Sequence, residues 1–273
     1  MSALAKRPKL IATDLDGTIF LNYGEITPRT KKAFHDAHDA GIKVYFATGR
    51  PARWMKEIAA TFPFGGAILG NGAIHYDIHN EKVIDEWLIP VENQIATVQK
   101  LRNAIPDVAF AVELRDHFYR EKNYNPRWDV GLDQEGVHDI TELMSDPAAK
   151  LLARCSTQKL TSDEMLAIAD RELADLVTVT HSNSLDSLLE INAFGVSKGS
   201  TLAKMAERFG INAEQVVTFG DNPNDFAMLE WAGRSWAMGD GHPDAPKYAK
   251  SVTDPHTEDG VAKVIEELLE LPE

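Results

Sequence analysis

Residues 10–18 of the chain have the sequence LIATDLDGT, which carries a clear structural pattern. A short, mostly apolar run ends abruptly at two acidic residues, Asp14 and Asp16. Such a run is typical of a buried strand in a parallel sheet, whose polar residues emerge at its carboxyl end. Ligands of open α/β sheets bind beyond the carboxyl ends of the strands, so both acidic residues lie where a functional site is expected.

Strand and helix patterns alternate along most of the chain. Thr27 followed by Pro28 has the form of a helix start, and Gly41 has the form of a helix end. The predicted strands cover residues 10–13, 44–47, 67–69, 216–219 and 235–238, and the predicted helices cover residues 27–41, 51–61, 198–209, 226–232 and 261–271. This alternation predicts an α/β fold with a doubly wound, mainly parallel, Rossmann-like sheet.

Residues 86–190 have a different character. Apolar residues alternate along residues 108–114, as in a half-buried strand, and residues 91–105 have a helical pattern. A length of 273 residues allows two domains. We therefore predict a core domain of residues 1–85 and 191–273 and an inserted α+β cap domain of residues 86–190, which we call the cap.

The charge of the chain disfavours two classes of partner. Lys and Arg number 28 against 42 Asp and Glu, which gives a formal charge of -14. Proteins that bind nucleic acids or anionic membranes usually carry a basic face, so we predict neither partner. An anionic substrate must then find positive charge locally, from a metal ion or from a few placed basic residues.

Three further features bear on location and assembly. The single cysteine, Cys155, allows no intrachain disulfide, and its apolar surroundings predict a buried thiol. No apolar run approaches the roughly 20 residues of a membrane span, and the first residues lack the pattern of a signal peptide. We expect a cytoplasmic protein, with a monomer as the default state.

A second acidic motif follows the predicted strand at residues 216–219. It contributes Asp221 and Asp225, which the parallel sheet would bring to the same edge as Asp14 and Asp16. Four carboxylates at one edge would repel one another unless a cation relieved the repulsion. Oxygen ligands of this kind suit Mg²⁺, which is typically held by one or two carboxylates, water and substrate phosphate.

These motifs resemble those of the haloacid dehalogenase superfamily and, within it, of the Cof-type phosphatases. The resemblance covers nearly the whole chain. The four family motifs are matched by residues 14–18 (DLDGT), residues 48–50 (TGR), Lys198 and residues 220–225 (GDNPND). The cap fits the inserted domain of Cof-type proteins. The resemblance implies a phosphoric monoester hydrolase that acts on small phosphorylated metabolites, with sugar phosphates favoured.

The resemblance also implies roles for the acidic residues. Asp14 would be the nucleophile that forms an aspartyl-phosphate, and Asp16 the general acid and then the general base. Mg²⁺ would bind the Asp14 carboxylate, the Asp16 backbone carbonyl and the Asp221 carboxylate. Asp225 would orient these ligands. An Asp16 carboxylate argues against dehalogenation, since displacement at a carbon–halogen bond needs neither that acid nor magnesium.

A further set of residues would bind the phosphate. Thr48 would donate a hydrogen bond to it, Lys198 would place an ammonium beside it, and Asn224 would bind it through the side-chain amide. Backbone N–H groups at Leu15 and Gly49 would contact the same anion. Arg50 is left with two readings, a local contact that holds its loop or a direct contact with the substrate.

The cap would read the leaving group, but the sequence does not identify the residues that do so. Polar or aromatic candidates within it are Arg115, His117, Tyr119 and Arg120. Two other functions share the same motifs. A phosphomutase would move phosphate between positions of a sugar, and a regulatory protein would sense a phosphorylated metabolite without turnover.

Overall fold

The structure is a computed structural model that describes residues 6–21, 24–114, 117–126, 135–155, 157 and 159–273. Within these ranges the strands are β1 (Leu10–Thr13), β2 (Lys43–Ala47), β3 (Gly66–Leu69), β4 (Ile74–Asp77), β5 (Lys82–Glu86), β6 (Val108–Leu114), β7 (His117–Arg120), β8 (Lys150–Cys155), β9 (Val177–Thr180), β10 (Leu188–Ala193), β11 (Val216–Gly220), β12 (Arg234–Met238) and β13 (Ser251–Thr253). The α-helices are α1 (Pro28–Asp39), α2 (Lys56–Thr61), α3 (Val91–Ala104), α4 (Ser162–Leu173), α5 (Lys198–Arg208), α6 (Phe226–Trp231), α7 (Ala245–Tyr248) and α8 (Gly260–Leu269).

The first sheet has the order β13-β12-β11-β1-β2-β3-β4-β5. The six strands from β13 to β3 run parallel, and β4 and β5 extend the sheet antiparallel. Strand β1 lies near the middle, between β11 and β2. The predicted α/β fold with a mainly parallel sheet is confirmed.

Helices cover both faces of this sheet, and alternate residues of β1 show why that strand is apolar throughout. Ile11 belongs to the cluster that includes Phe34 of α1 and Ile265 of α8. Leu10 and Ala12 belong to the opposite cluster, which includes residues of α5 and α6. All three β1 side chains are 0% exposed. A strand between two helical layers has no face for water, so its sequence is a continuous apolar run.

The second sheet has the order β7-β6-β8-β10-β9 and is antiparallel. Helices α3 and α4 pack on one of its faces, where they form a hydrophobic cluster with residues of β6, β8 and β10. This second unit agrees with the predicted α+β insertion. The proposed boundary at residue 190 falls within β10, and the exact division into domains stays a prediction. Among the described helices, none has the length and apolar character that crossing a membrane requires.

The structure corrects the sequence prediction in two places. The helix predicted over residues 51–61 is wrong in its first half, because a 3₁₀ turn at Ala52–Trp54 precedes α2. Arg53 in this turn donates two hydrogen bonds to Glu113 of the second sheet, which ties the turn to that sheet. Strands β4 and β5 were not predicted. Strand β5 is an exposed edge strand rich in charged residues, and such strands carry little apolar pattern.

Candidate active site

The carboxyl ends of β1, β2 and β11 meet at one edge of the first sheet. Thr13 at the end of β1 is in register with Phe219 of β11 on one side and with Phe46 of β2 on the other. The next residue along β1 is Asp14, whose N–H donates to the Phe219 carbonyl at 3.0 Å. Asp221 and Thr48 come directly after the ends of β11 and β2. The parallel sheet thus brings the first, second and fourth motifs together.

Three carboxylates form a buried acidic cluster at this edge. Asp14, Asp221 and Asp225 each place a carboxylate oxygen within 4.8 Å of the others, and all three residues are buried. Burial, helped by the charges of Asp225 and Asp16 and opposed by Lys198, raises the pKa of Asp14 to about 8. Burial, and then the charges of Asp14 and Asp225, also raise the pKa of Asp221. The donor set is hard oxygen under mutual repulsion, which fits a divalent cation.

Gly17 leaves room for this cluster. Its φ is +81°, in the left-handed region that favours glycine. A Cβ atom at this position would lie 2.5 Å from Oδ2 of Asp221. The neighbouring Thr18 hydroxyl lies 3.4 Å from Oδ1 of Asp221 and 3.5 Å from Oδ2 of Asp14, so it is a weak donor to both. The DLDGT motif therefore needs its glycine because the loop passes directly against a carboxylate of the fourth motif.

Lys198 supplies the positive charge inside the cluster. Its side chain is 0% exposed, and its Nζ donates to Asp14 Oδ1 at 2.5 Å and to Asp225 Oδ1 at 2.8 Å. Burial opposes the charged ammonium, but the two carboxylates outweigh burial and raise the pKa of Lys198. Helix α5 begins here because Ser197 and Ser200 form a capping box. This N-terminal capping box thus fixes the position from which Lys198 reaches the carboxylates.

Asp225 is engaged by the protein through both oxygens. Its Oδ1 accepts from Lys198, and its Oδ2 accepts from the backbone N–H groups of Asp221 at 3.0 Å and Asn222 at 3.2 Å. It is 0% exposed. These contacts are those expected of a residue that orients the lysine and the Asp221 loop.

Asp16 lies apart from the buried cluster. Its side chain is 57% exposed, and its carboxylate is bound by Arg50 through Nε at 2.8 Å and Nη2 at 2.5 Å. The Arg50 guanidinium also stacks over the Phe20 ring, 4.6 Å from its centroid. Of the two readings of Arg50, the structure therefore contains the local contact, and that contact is with the predicted acid.

The predicted phosphate-binding residues line the same edge. Thr48 is buried, and its Oγ1 accepts from the Arg50 N–H at 3.1 Å. Asn224 donates from Nδ2 to Asn71 Oδ1 at 3.2 Å, while its own Oδ1 has no hydrogen-bond partner among the described residues. Asn71 adopts a left-handed backbone with φ 58°, as turn residues of this type can.

Leu15 and Gly49 complete this set through the backbone. Leu15 is fully buried, and its carbonyl accepts the N–H groups of Thr18, Ile19 and Phe20, which closes the DLDGT loop. Gly49 lies directly after Thr48, and a Cβ there would come 3.1 Å from Asn71 Oδ1. The loop after β2 is thus packed tightly against the turn after β3.

Sequence reasoning missed the residues of the second sheet that reach this edge. Lys150 of β8 donates to the Gly49 carbonyl at 2.6 Å and pairs with Glu190 of β10 at 2.9 Å. Asn192, at the end of β10, donates to the Gly70 carbonyl at 2.7 Å. The available signal was the presence of charged residues in two otherwise apolar strands, Lys150 and Arg154 in β8 and Glu190 in β10. Of the polar cap residues named from the sequence, Arg115 lies outside the described residues.

A second bridge joins the cap to the first sheet through histidines. His181 is fully buried and lies 2.9 Å from Asp163 of α4, which also lies 3.3 Å from His242. The His181 carbonyl accepts the Asn224 N–H at 3.2 Å. These contacts give His181 a structural role.

Comparisons with known proteins identify the family. The family model for haloacid dehalogenase-like hydrolase matches residues 11–265. The 5-amino-6-(5-phospho-D-ribitylamino)uracil phosphatase YcsE of Bacillus subtilis is 28% identical, with 94% of each chain covered. The pyridoxal phosphate phosphatase YbhA of Escherichia coli is 28% identical, with 94% of this chain and 97% of that protein covered.

A solved structure shares the fold. BT1666 from Bacteroides thetaiotaomicron, a phosphatase of the HAD superfamily, aligns with a TM-score of 0.80 at 24% identity over 96% of this chain and 95% of its own. The predicted assignment to hydrolases of the phosphatase type is confirmed by the family match and the curated relatives. The chain belongs to the haloacid dehalogenase-like hydrolases, among their Cof-type members.

Proposed function

We propose that this protein is a magnesium-dependent phosphatase that hydrolyses small phosphorylated metabolites, sugar phosphates foremost, through an aspartyl-phosphate on Asp14. The observation that carries the proposal is the contact of Lys198 with Asp14 and Asp225 in a buried cluster that also contains Asp221. A purely structural lysine would not need three buried carboxylates around it. A phosphoryl group needs positioned positive charge, a nucleophile and a dry site together.

In the first half-reaction, an Asp14 carboxylate oxygen attacks the phosphorus and the ester oxygen leaves with its bonding electrons. Asp16 donates a proton to that oxygen, so the leaving group departs as a neutral alcohol. In the second, Asp16 accepts a proton from water as the water oxygen attacks the phosphorus. The Asp14 carboxylate is then restored and inorganic phosphate is released.

The charges around Asp14 suit this role. Burial raises the pKa of Asp14, which opposes the ionised nucleophile, and the Lys198 ammonium opposes that effect. The same ammonium would neutralise part of the phosphoryl charge. Thr48 and Asn224 would bind phosphoryl oxygens through the hydroxyl and the side-chain amide, with the backbone N–H groups of Leu15 and Gly49.

Magnesium is proposed as the resident cation. The Asp14 and Asp221 carboxylates and the Asp16 backbone carbonyl would hold it, with Asp225 orienting them. When bound, the ion would neutralise the carboxylates and the phosphate oxygens that face them. The mutual repulsion of Asp14 and Asp221 supports a divalent cation, and magnesium is the one that best suits carboxylates combined with substrate phosphate.

Asp16 must change its side-chain position to act as the acid. Its carboxylate is held by Arg50 at the exposed rim of the site. Rotation away from Arg50 would bring it towards the ester oxygen once a substrate is present. We propose that Arg50 binds the Asp16 carboxylate until a substrate is present and does not bind the phosphate.

The substrate class rests on the relatives and on the family resemblance. The curated relatives are named for a phosphorylated ribitylamino compound and for pyridoxal phosphate, both small monoesters. We favour sugar phosphates, the class that the resemblance implies. We also propose that the protein is a cytoplasmic monomer.

The test is release of inorganic phosphate from sugar phosphates, pyridoxal phosphate, nucleotides and an aryl phosphate, with and without magnesium. Wild type and Asp14→Asn are compared, since the two side chains are nearly isosteric. Release that needs magnesium and disappears in Asp14→Asn is expected. Full activity in Asp14→Asn would contradict the proposal, and a rearranged sugar phosphate without free phosphate would indicate a mutase.

A further inference from the structure

An ion pair of the cap is buried against the loop that follows β2. Lys150 of β8 and Glu190 of β10 have side chains that are 8% and 6% exposed, and their Nζ and Oε1 atoms lie 2.9 Å apart. The Lys150 ammonium also donates to the backbone carbonyl of Gly49 at 2.6 Å. The pair therefore joins two strands of the second sheet to the loop that carries Thr48.

A chain of hydrogen bonds continues from this contact to Thr48. The Gly49 carbonyl and the Arg50 N–H belong to the same peptide group. The carbonyl accepts from Lys150, and the N–H donates to Thr48 Oγ1 at 3.1 Å. Because one peptide group carries both bonds, a cation at its carbonyl polarises its N–H and strengthens the second bond.

The direction of these bonds fixes the Thr48 hydroxyl. Its oxygen accepts from the Arg50 N–H, so its own proton is left to be donated elsewhere. Thr48 is buried at the edge of the sheet beside Asp14. A phosphoryl oxygen at this edge is the acceptor that such a proton would meet.

Burying the Lys150–Glu190 ion pair costs free energy because both charged groups lose their contact with water. Burial opposes ionisation of Glu190, but Lys150, Ser182 and Asn71 together outweigh burial and lower the pKa of Glu190. Replacing a buried ion pair with apolar residues is often neutral or stabilising, so stability alone is a weak reason for this one. The contact of Lys150 with the Gly49 carbonyl suggests that the pair serves to position this loop.

A second residue of the second sheet holds the neighbouring turn. Asn192 donates from Nδ2 to the Gly70 carbonyl at 2.7 Å, and the Gly70 N–H donates to the Arg50 carbonyl at 3.1 Å. The loop after β2 and the turn after β3 are thus bound to each other and to the cap. The cap therefore contacts the phosphate-binding loop through directed bonds.

We propose that Lys150, held by Glu190, is a positioning residue of the active site, which fixes the Gly49–Arg50 peptide and through it the Thr48 hydroxyl that binds the transferring phosphoryl group. The proposal rests on the proposed phosphatase function. It assigns to the cap a part in phosphate binding that is the same for every substrate, whatever its leaving group.

The test is a double-mutant cycle between the pair and Thr48. The pair is neutralised as Lys150→Met with Glu190→Gln, which avoids leaving one buried charge unpaired. The hydroxyl is removed as Thr48→Val. Values of kcat/KM are measured with an aryl phosphate and with a sugar phosphate, together with competitive inhibition by inorganic phosphate. Lys159→Met is the matched control, a cap lysine whose side chain is 74% exposed.

Neutralising the pair in the wild-type background should lower kcat/KM by about tenfold or more for both substrates and weaken inhibition by phosphate to a similar degree. In the Thr48→Val background the same change should cost less than about twofold, because its effect passes through the hydroxyl. Lys159→Met should match wild type. Thermal unfolding establishes that each variant is folded at the assay temperature.

Equal losses in both backgrounds would overturn the inference, because the pair would then act independently of Thr48. A loss confined to the sugar phosphate would also overturn it and would make Lys150 a contact of the leaving group. If the wild-type protein releases phosphate but the effects of the pair and of Thr48 on kcat/KM are additive, this inference alone is refuted. A wild-type protein that turns over no phosphate ester refutes the proposed function and this inference with it.

Discussion

Arg50 binds the carboxylate of Asp16 through two hydrogen bonds, from Nε at 2.8 Å and from Nη2 at 2.5 Å, and holds it at the exposed rim of the site. Asp14 and Asp221, by contrast, belong to the buried acidic cluster, in which Asp14 contacts Lys198. The proposed nucleophile, Asp14, and the proposed acid, Asp16, thus occupy different environments, one buried and one open to solvent. This separation suits two carboxylates that must perform different steps.

Replacing the acid should reveal the leaving-group step. Asp16→Asn should slow hydrolysis of a sugar phosphate by about 10²–10⁴-fold, because an alkoxide leaves poorly without a proton. An aryl phosphate needs no such proton, so its first half-reaction should stay fast while hydrolysis of the intermediate becomes slow. Rapid-quench kinetics should then show a burst of phenol equal to the enzyme concentration. Equal slowing of both substrates without a burst would count against Asp16 as the acid.

Removing the Lys198 ammonium should destabilise the protein. Lys198→Met leaves two buried carboxylates without their partner, at a cost of about 3–5 kcal/mol in the free energy of unfolding. Urea unfolding with a chelator present measures this cost, and Lys159→Met is the surface control. A loss no larger than that of the control would mean that Lys198 is not needed to hold the carboxylates together.

Stability without metal should fall as the pH rises. Burial raises the pKa of Asp14 from 3.8 to about 8, so the folded chain keeps a proton that the unfolded chain releases. The free energy of unfolding should therefore decrease between about pH 4 and about pH 8 when a chelator is present. Added magnesium should restore stability at the alkaline end, since a cation replaces the proton.

The control for this pH dependence is Asp14→Asn. It should flatten the dependence and reduce the stabilisation by magnesium, because the amide does not titrate. Urea unfolding at each pH, with and without magnesium, gives all four curves. A metal-free wild type that gains stability over this range would show that the buried carboxylate is ionised throughout.

Two glycines with the same backbone conformation can be compared to test whether the DLDGT loop must pack closely against Asp221. Gly17 and Gly41 have φ values of +81° and +80°, but a Cβ would lie 2.5 Å from Asp221 Oδ2 only at the first, and it would meet nothing within 4 Å at the second. Alanine at either position should cost about 1–2 kcal/mol through backbone strain. Gly17→Ala alone should also abolish magnesium-dependent activity. Titration calorimetry with magnesium and the phosphate assay would measure the difference, and similar activity of both variants would contradict it.

The sequence was informative wherever one strand fixes the position of a residue. Asp14, Thr48 and Asp221 follow three strands that parallel pairing places side by side, so their convergence could be predicted from order alone. The burial of the strands was equally readable from their apolar runs. Lys198 needed the family resemblance as well, because a lysine at a helix start has no single structural meaning.

Contacts between the two sheets could not be read in this way. Lys150 lies 101 residues from Gly49 in the chain, and their contact depends on how the second sheet packs on the first. Periodicity predicts the face of a strand, but it does not predict what that face meets. The position of Asp16 was also unreadable, since a side chain at the rim is placed by Arg50 and not by its own strand.

A covalent intermediate on Asp14 can be detected by the mass of the Asp16→Asn protein after rapid mixing with an aryl phosphate and magnesium. We expect a protein heavier by one phosphoryl group, with the added mass on the peptide that contains Asp14 and none in the Asp14→Asn variant. Phenol released in a burst while the protein mass stays unchanged would contradict a covalent intermediate on Asp14.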